Sequence, residues 1–156
     1  MLFRSHVAHD DTVGWPCRID GFGQAEAGLI RGVLAKTGTH SFVESCHVEP
    51  LIAWRALDDN VRLVDSTRLD RLKEGAERRL ATLASLGIDG INLFHSEWSG
   101  GLATLAHRFN RTAFGWGIEY DRHFQTAFRM GLDAVYSDYV DRMMDSYRHE
   151  LGRPTL

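Results

Sequence analysis

Short apolar runs alternate along the chain with longer stretches whose apolar residues recur every three or four positions. The short runs are Phe42–Cys46, Arg62–Asp65, Gly90–Phe94, Ala113–Ile118 and Ala134–Ser137, each rich in β-branched or aromatic residues. Successive rather than alternating apolar positions predict strands buried on both faces, as in a parallel sheet covered by helices. Between the runs, Leu72, Ala76, Leu80 and Leu83 keep a helical period, as do Val140, Met143, Met144, Tyr147 and Leu151. Leu29, Ile30, Val33 and Leu34 form a similar stripe. Each stripe predicts a helix that lays one apolar face on the sheet.

One phrase occurs twice. Leu83-Ala-Ser-Leu-Gly-Ile-Asp-Gly-Ile and Ala127-Phe-Arg-Met-Gly-Leu-Asp-Ala-Val both place Gly, an apolar residue and Asp between a helical stripe and a strand. Glycine fits the left-handed conformation that ends a helix, so Gly87 and Gly131 are expected to turn the chain back into the sheet. Two copies of helix, Gly and strand predict two successive α/β units of one build. No Pro/Gly/Ser-rich linker interrupts the pattern, so residues 1–156 are expected to form a single domain.

Size narrows the architecture. A βαβ unit takes about 30 residues, which leaves room for about five βα units in 156 residues. A closed (β/α)₈ barrel usually needs about 250 residues and at least about 200. The expected fold is therefore α/β with a parallel sheet, either a small open one or an incomplete barrel of TIM type.

Composition excludes several classes. With 44% apolar and 25% charged residues the chain has enough apolar content for a core. No apolar run approaches the roughly 20 residues of a membrane span. The net charge of −3 without a basic cluster argues against a nucleic-acid partner. Cys17 and Cys46 lie far apart with no paired spacing, so neither a zinc ribbon nor a disulfide scaffold is expected. Met1–Ser5 lacks the apolar core of a signal peptide and runs abruptly into a polar, His-rich stretch. These five residues are read as a fragment scar, and the expected compartment is the cytoplasm.

In parallel α/β folds the chemistry gathers at the carboxyl ends of the strands. Those ends supply Glu44, Ser45 and His47; Asp65, Ser66 and Thr67; His95, Ser96 and Glu97; Trp116 and Glu119; and Ser137 and Asp138. Asp65, Ser66, Thr67, Ser96, Asp121 and Asp138 precede helical patterns and are expected to be N-caps. His95 reads as a loop histidine, Trp54 as helix packing. Glu44 stands apart, because a carboxylate inside a strand must be paired, protonated or cation-bound if it faces the interior. No dinucleotide, Walker A, zincin or serine-hydrolase motif is present, and Gly21-Phe-Gly is a lone G-x-G.

Ala113-Phe-Gly-Trp-Gly-Ile-Glu-Tyr-Asp, followed by Met130-Gly-Leu-Asp-Ala-Val-Tyr-Ser-Asp-Tyr, resembles the C-terminal signature of glycerophosphodiester phosphodiesterases. In that family a strand "v-x-x-W-T-V-N" precedes a helix and then "x-G-V-D-G-I-x-T-D-x-P". Trp116 takes the tryptophan position, Gly131, Leu132 and Asp133 the Gly–apolar–Asp triple, and Asp138 the final aspartate. Upstream, Phe42-Val-Glu-Ser-Cys-His resembles the family's "S-F-d" strand, with Ser45 in the serine position, and Val61-Arg-Leu-Val resembles the unit after it. Gly117, Glu119, Ser137, Val140 and Cys46 depart from the pattern. The early-barrel motifs "H-R-G", "E-x-D" and "E-x-K" have no counterpart in this sequence. Val7-Ala-His-Asp-Asp-Thr resembles the "H-D-x-T" segment, which would make His9 the second catalytic histidine. The competing alignment makes Pro16–Asp20 the fourth strand, with Arg18 and Asp20 in place of the usual metal-site Glu and Lys.

The resemblance implies the late part of a (β/α)₈ barrel that hydrolyses glycerophosphodiesters to glycerol 3-phosphate and an alcohol. It implies a divalent cation, Mg²⁺ or Ca²⁺, whose ligands are not identifiable in this chain. It places His9 as acid–base catalyst and Glu44, Ser45, Trp116 and Glu119 at the substrate. The implied partner is a small phosphodiester, and open sheet edges would favour self-association. The alternative is a barrel remnant that binds phosphate or a phosphodiester without turnover.

Overall fold

The computed structural model describes residues 42–151. Five strands, β1 (Phe42–Ser45), β2 (Arg62–Ser66), β3 (Gly90–Phe94), β4 (Thr112–Trp116) and β5 (Ala134–Val135), form one sheet in chain order. Every neighbouring pair is parallel. Helices follow the strands in turn: α1 (Val48–Leu57), α2 (Ala76–Ser85), α3 (Gly100–Arg108), α4 (Asp121–Met130) and α5 (Val140–Leu151). The strands fall where the apolar runs placed them, with shorter carboxyl ends at β1, β4 and β5 and one residue more at β2. The stripe at Leu29–Leu34 lies outside the described residues.

The two faces of the sheet differ. Leu63, Ile91, Leu93, Ala113 and Val135 form one core with Leu51, Trp54, Leu80, Leu83, Ala106, Phe124, Ala127 and Met143 of the helices. Burial of these side chains against α1–α5 drives the layer together, at about 25 cal/mol per Å² of apolar surface. The opposite face carries a smaller cluster of Val64, Phe114 and Ala134 with Tyr136 packed beside it. That inner face is not uniformly apolar, as the sequence pattern had suggested. Glu44, Ser66, Asn92 and Thr112 share it by register, since Glu44 pairs with Val64, Ser66 with Asn92, Asn92 with Phe114, and Gly90 with Thr112.

The duplicated Gly–apolar–Asp phrase has a physical basis. Gly87 and Gly131 take φ values of 68° and 87°, and Ile88 and Leu132 then donate back to Leu83 O and Ala127 O. This is the left-handed close that an L side chain resists. The aspartate that follows clamps the preceding strand. Asp89 donates its N–H to Leu63 O at 2.8 Å, and its carboxylate accepts the Leu63 N–H at 2.9 Å. Asp133 repeats both bonds with Ala113, at 2.9 and 2.8 Å. Arg55 and Arg62 pair with Asp89, and His107 pairs with Asp133. Asn110, at φ 53°, closes α3 in the same way without glycine. These clamps sit at the amino ends of the strands, where they set register away from the mouth.

The N-cap expectations for Asp65, Ser66, Ser96 and Asp121 are corrected. Asp65 lies on the helix-facing side and pairs with Arg79 of α2, which donates Nε at 2.7 Å and Nη2 at 3.1 Å. Ser66 accepts a bond from Asn92, and Asp121 is the first residue of α4 and accepts from Ser146. Gly75 caps α2 and Tyr120 caps α4, neither with a side-chain bond. Ser99, not Ser96, caps α3 and accepts the Leu102 N–H. Asp65 and Ser66 answer to partners on α2 and β3 rather than capping the next helix, because nine residues separate β2 from α2. No helix among the described residues is long and apolar enough to cross a membrane.

Candidate functional site

The carboxyl ends of β1–β5 open on the inner face. In its lower layer Asn92, 1% exposed, donates Nδ2 to Glu44 Oε2 at 3.2 Å and to Ser66 Oγ at 3.1 Å. The acceptor at Glu44 fixes which way the amide points, since the opposite orientation would set Oδ1 against a carboxylate. Asn92 Oδ1 is buried with no partner, a deficit that ordinarily costs about 1–3 kcal/mol.

The upper layer is aromatic. Phe94 and Trp116 are register partners, with ring centroids 4.7 Å apart at 58°. Gly117 allows this approach: its φ is 73°, and a Cβ there would lie 2.4 Å from the Phe94 ring. A threonine at this position would meet the Phe94 ring. Arg68, from the loop after β2, lies over the same pair, its guanidinium carbon 5.3 Å from the Phe94 centroid and 6.0 Å from that of Trp116. Its Nε donates to Glu97 Oε1 at 2.8 Å, and Glu97 Oε2 accepts the Leu69 N–H.

Beside the aromatic pair, His95 stacks on His123 of α4 with ring centroids 4.0 Å apart. Tyr120 meets His123 edge-on. Burial first, then the His123 imidazole, pushes His95 below the ordinary imidazole range; Glu119 pulls the other way and Arg122 adds to the drop. His95 is thus neutral at pH 7 and offers one nitrogen as donor and one as acceptor. His123 Nδ1 is buried without a partner.

The expected site residues distribute unevenly. Glu44 is on the inner face, held by Asn92. Trp116 and Glu119 stand at the mouth, Glu119 exposed on the loop into α4, its carbonyl accepting from Arg142. Ser45 is buried, pairs in register with Asp65, and accepts the His47 N–H at 3.1 Å, so its hydroxyl serves the turn into α1. His9 and the competing Pro16–Asp20 strand lie outside the described residues. Arg68, Asn92 and His123 were not singled out by the sequence. Only Arg68 carried a usable signal, as a cation just past the carboxyl end of a strand.

A divalent cation needs several oxygen ligands. Among the described residues no three His, Cys, Asp or Glu side chains converge as a metal-binding group. The described residues alone do not fit the ion.

Solved structures share this arrangement. The chain superposes on a protein assigned as a glycerophosphoryl diester phosphodiesterase from Agrobacterium tumefaciens with TM-score 0.69 at 13% identity, covering 83% of this chain and 53% of that one. The fold is that of a glycerophosphodiester phosphodiesterase barrel, in part. An Oleispira antarctica phosphodiesterase in complex with the product sn-glycerol-3-phosphate matches with TM-score 0.64 at 15% identity, over 77% of this chain and 48% of that one. A glycerophosphodiester phosphodiesterase from Parabacteroides distasonis matches with TM-score 0.62 at 12% identity, over 81% and 52%. The chain thus spans about half the length of these structures. No protein-family model matches it. No curated protein sequence matches it.

Proposed function

We propose that the chain contributes the late strands of a barrel that binds a glycerophosphodiester at its carboxyl-end mouth and hydrolyses it to glycerol 3-phosphate and an alcohol. The observation that carries this reading is the match of its five-stranded parallel sheet to phosphodiesterase barrels, one of them holding sn-glycerol-3-phosphate. In this reading Trp116 walls the glycerol carbons and Glu44 and Glu119 line the approach, while Ser45, also expected there, faces the helices with its hydroxyl in the turn into α1. Water attacks phosphorus and gives up a proton, the bond from phosphorus to the alcohol oxygen breaks, and that oxygen takes up a proton. An imidazole suits both transfers because its ordinary pKa lies near neutrality; His9 is the residue assigned.

The second reading is binding without turnover. It draws on the lack of a converging set of metal ligands among the described residues and on Gly117, Glu119 and Ser137, which depart from the resembled motifs. The test is direct: incubate the purified chain with glycerophosphocholine and Mg²⁺ or Ca²⁺ and measure glycerol 3-phosphate. Release, abolished by His9→Ala, supports hydrolysis. Binding without release supports the second reading, and neither overturns both.

A further inference from the structure

We infer that Arg68 is the side chain that holds a phosphate oxygen at the mouth. The inference rests on reading this mouth as a phosphodiester pocket, and it names the group that recognises the anion. Arg68 leaves the loop directly after β2, whose carboxyl end is tied to α2 by the buried Asp65–Arg79 pair. Its guanidinium is fixed in two ways. Glu97 holds Nε at 2.8 Å and is itself anchored by the Leu69 N–H. The Phe94 and Trp116 rings lie within cation–π range of the guanidinium carbon.

Both constraints act on one edge and on the faces of the guanidinium. They leave Nη1 and Nη2 donating to no acceptor among the described residues, on a side chain that is 40% exposed. A planar fork with its Nε edge already engaged and its Nη groups open is suited to the oxygens of a phosphate group. Glu97 offsets the positive charge, so recognition here comes from oriented donors more than from net charge. A quaternary ammonium group is disfavoured on these rings, because Arg68 already lies over them. Glu97 is a positioning residue in this arrangement.

Titration calorimetry at low salt with inorganic phosphate, glycerol 3-phosphate and glycerophosphocholine tests the assignment, with ¹⁵N spectra of the Arg68 Nε–H group locating the ligand. Arg68→Gln is expected to weaken inorganic phosphate binding by about tenfold or more. Arg68→Lys, which keeps the charge and loses the fork, is expected to fall between, and Glu97→Gln to weaken binding several-fold. Circular dichroism on each variant verifies the fold. Absence of phosphate binding by the wild-type chain, or unchanged affinity in Arg68→Gln, overturns the inference. If glycerophosphocholine binds as well to Arg68→Gln as to the wild type, the inference fails and the phosphodiester reading stands. If inorganic phosphate binding depends on Arg68 but neither glycerol ester binds, Arg68 holds free phosphate and the phosphodiester reading fails.

Discussion

Arg79→Met removes the cation that pairs with the fully buried carboxylate of Asp65. Asp65 is 0% exposed and accepts two bonds from Arg79, at 2.7 and 3.1 Å. Methionine keeps much of the aliphatic bulk, so the loss is mainly electrostatic. Breaking a buried pair from one side ordinarily costs about 3–5 kcal/mol. Protonation caps that loss: placing a proton at pH 7 on a carboxyl whose unfolded pKa is about 3.9 costs about 4 kcal/mol. Burial raises the Asp65 pKa in the fold, opposed by the Arg79 hydrogen bonds and charge. Without Arg79 the opposition disappears, and the folded state binds a proton that the unfolded state does not. The deficit must therefore shrink as pH falls toward the unfolded value, to roughly 1.5 kcal/mol at pH 5. Urea unfolding followed by circular dichroism at both pH values measures it. Adding Asp65→Leu to Arg79→Met should recover most of the loss, because an apolar pair has no charge to strand. A deficit below about 1 kcal/mol at pH 7, or one unchanged at pH 5, would refute this account of what pins the end of β2 below Arg68.

Gly117→Ala forces a side chain into a left-handed backbone and against Phe94. It should cost at least about 1–2 kcal/mol in urea unfolding and perturb the Trp116 indole resonance; an unaltered midpoint counts against the steric reading. Asp133→Ala strips the acceptor from the Ala113 N–H and should cost about 1–3 kcal/mol, with faster hydrogen exchange at that amide; unchanged exchange would mean the clamp is not formed. His95 should titrate below the ordinary imidazole range by NMR, and His123→Ala should move it back up. Because its folded pKa is lowered, His95 withdraws stability as pH falls from about 6.5 toward the folded value. A His95 titration indifferent to the His123 substitution would contradict the stacked arrangement.

The fold was legible where a local rule dominates. Apolar runs located all five strands, and the Gly87 and Gly131 phrases located two helix ends, because an apolar layer and a left-handed turn each leave a local mark. What the sequence hid were partners distant along the chain. Asp65 looked like a cap because its distant partner Arg79 is invisible to local spacing. Asn92 looked like one more apolar-run residue, although it ties Glu44 to Ser66 across three strands. At the carboxyl ends, strand-end logic picked out Glu44 and Trp116, whose positions follow from register, and Glu119, which follows β4 on the loop into α4. It passed over Arg68 and His123, whose positions depend on a loop path and on the face α4 turns to the mouth. Ser45 illustrates the converse: it stands at a strand end, yet its hydroxyl is engaged by the turn that follows.

The central claim, that the carboxyl-end mouth of this sheet receives a glycerol phosphoester, is tested most directly by ¹H–¹⁵N chemical-shift mapping with glycerol 3-phosphate. The account predicts saturable shifts at the Arg68 Nε–H and Trp116 indole N–H, with the Leu63 and Ala113 amides at the opposite end of the strands unmoved. Shifts confined to Leu63 and Ala113, or none at any of these groups, would contradict it.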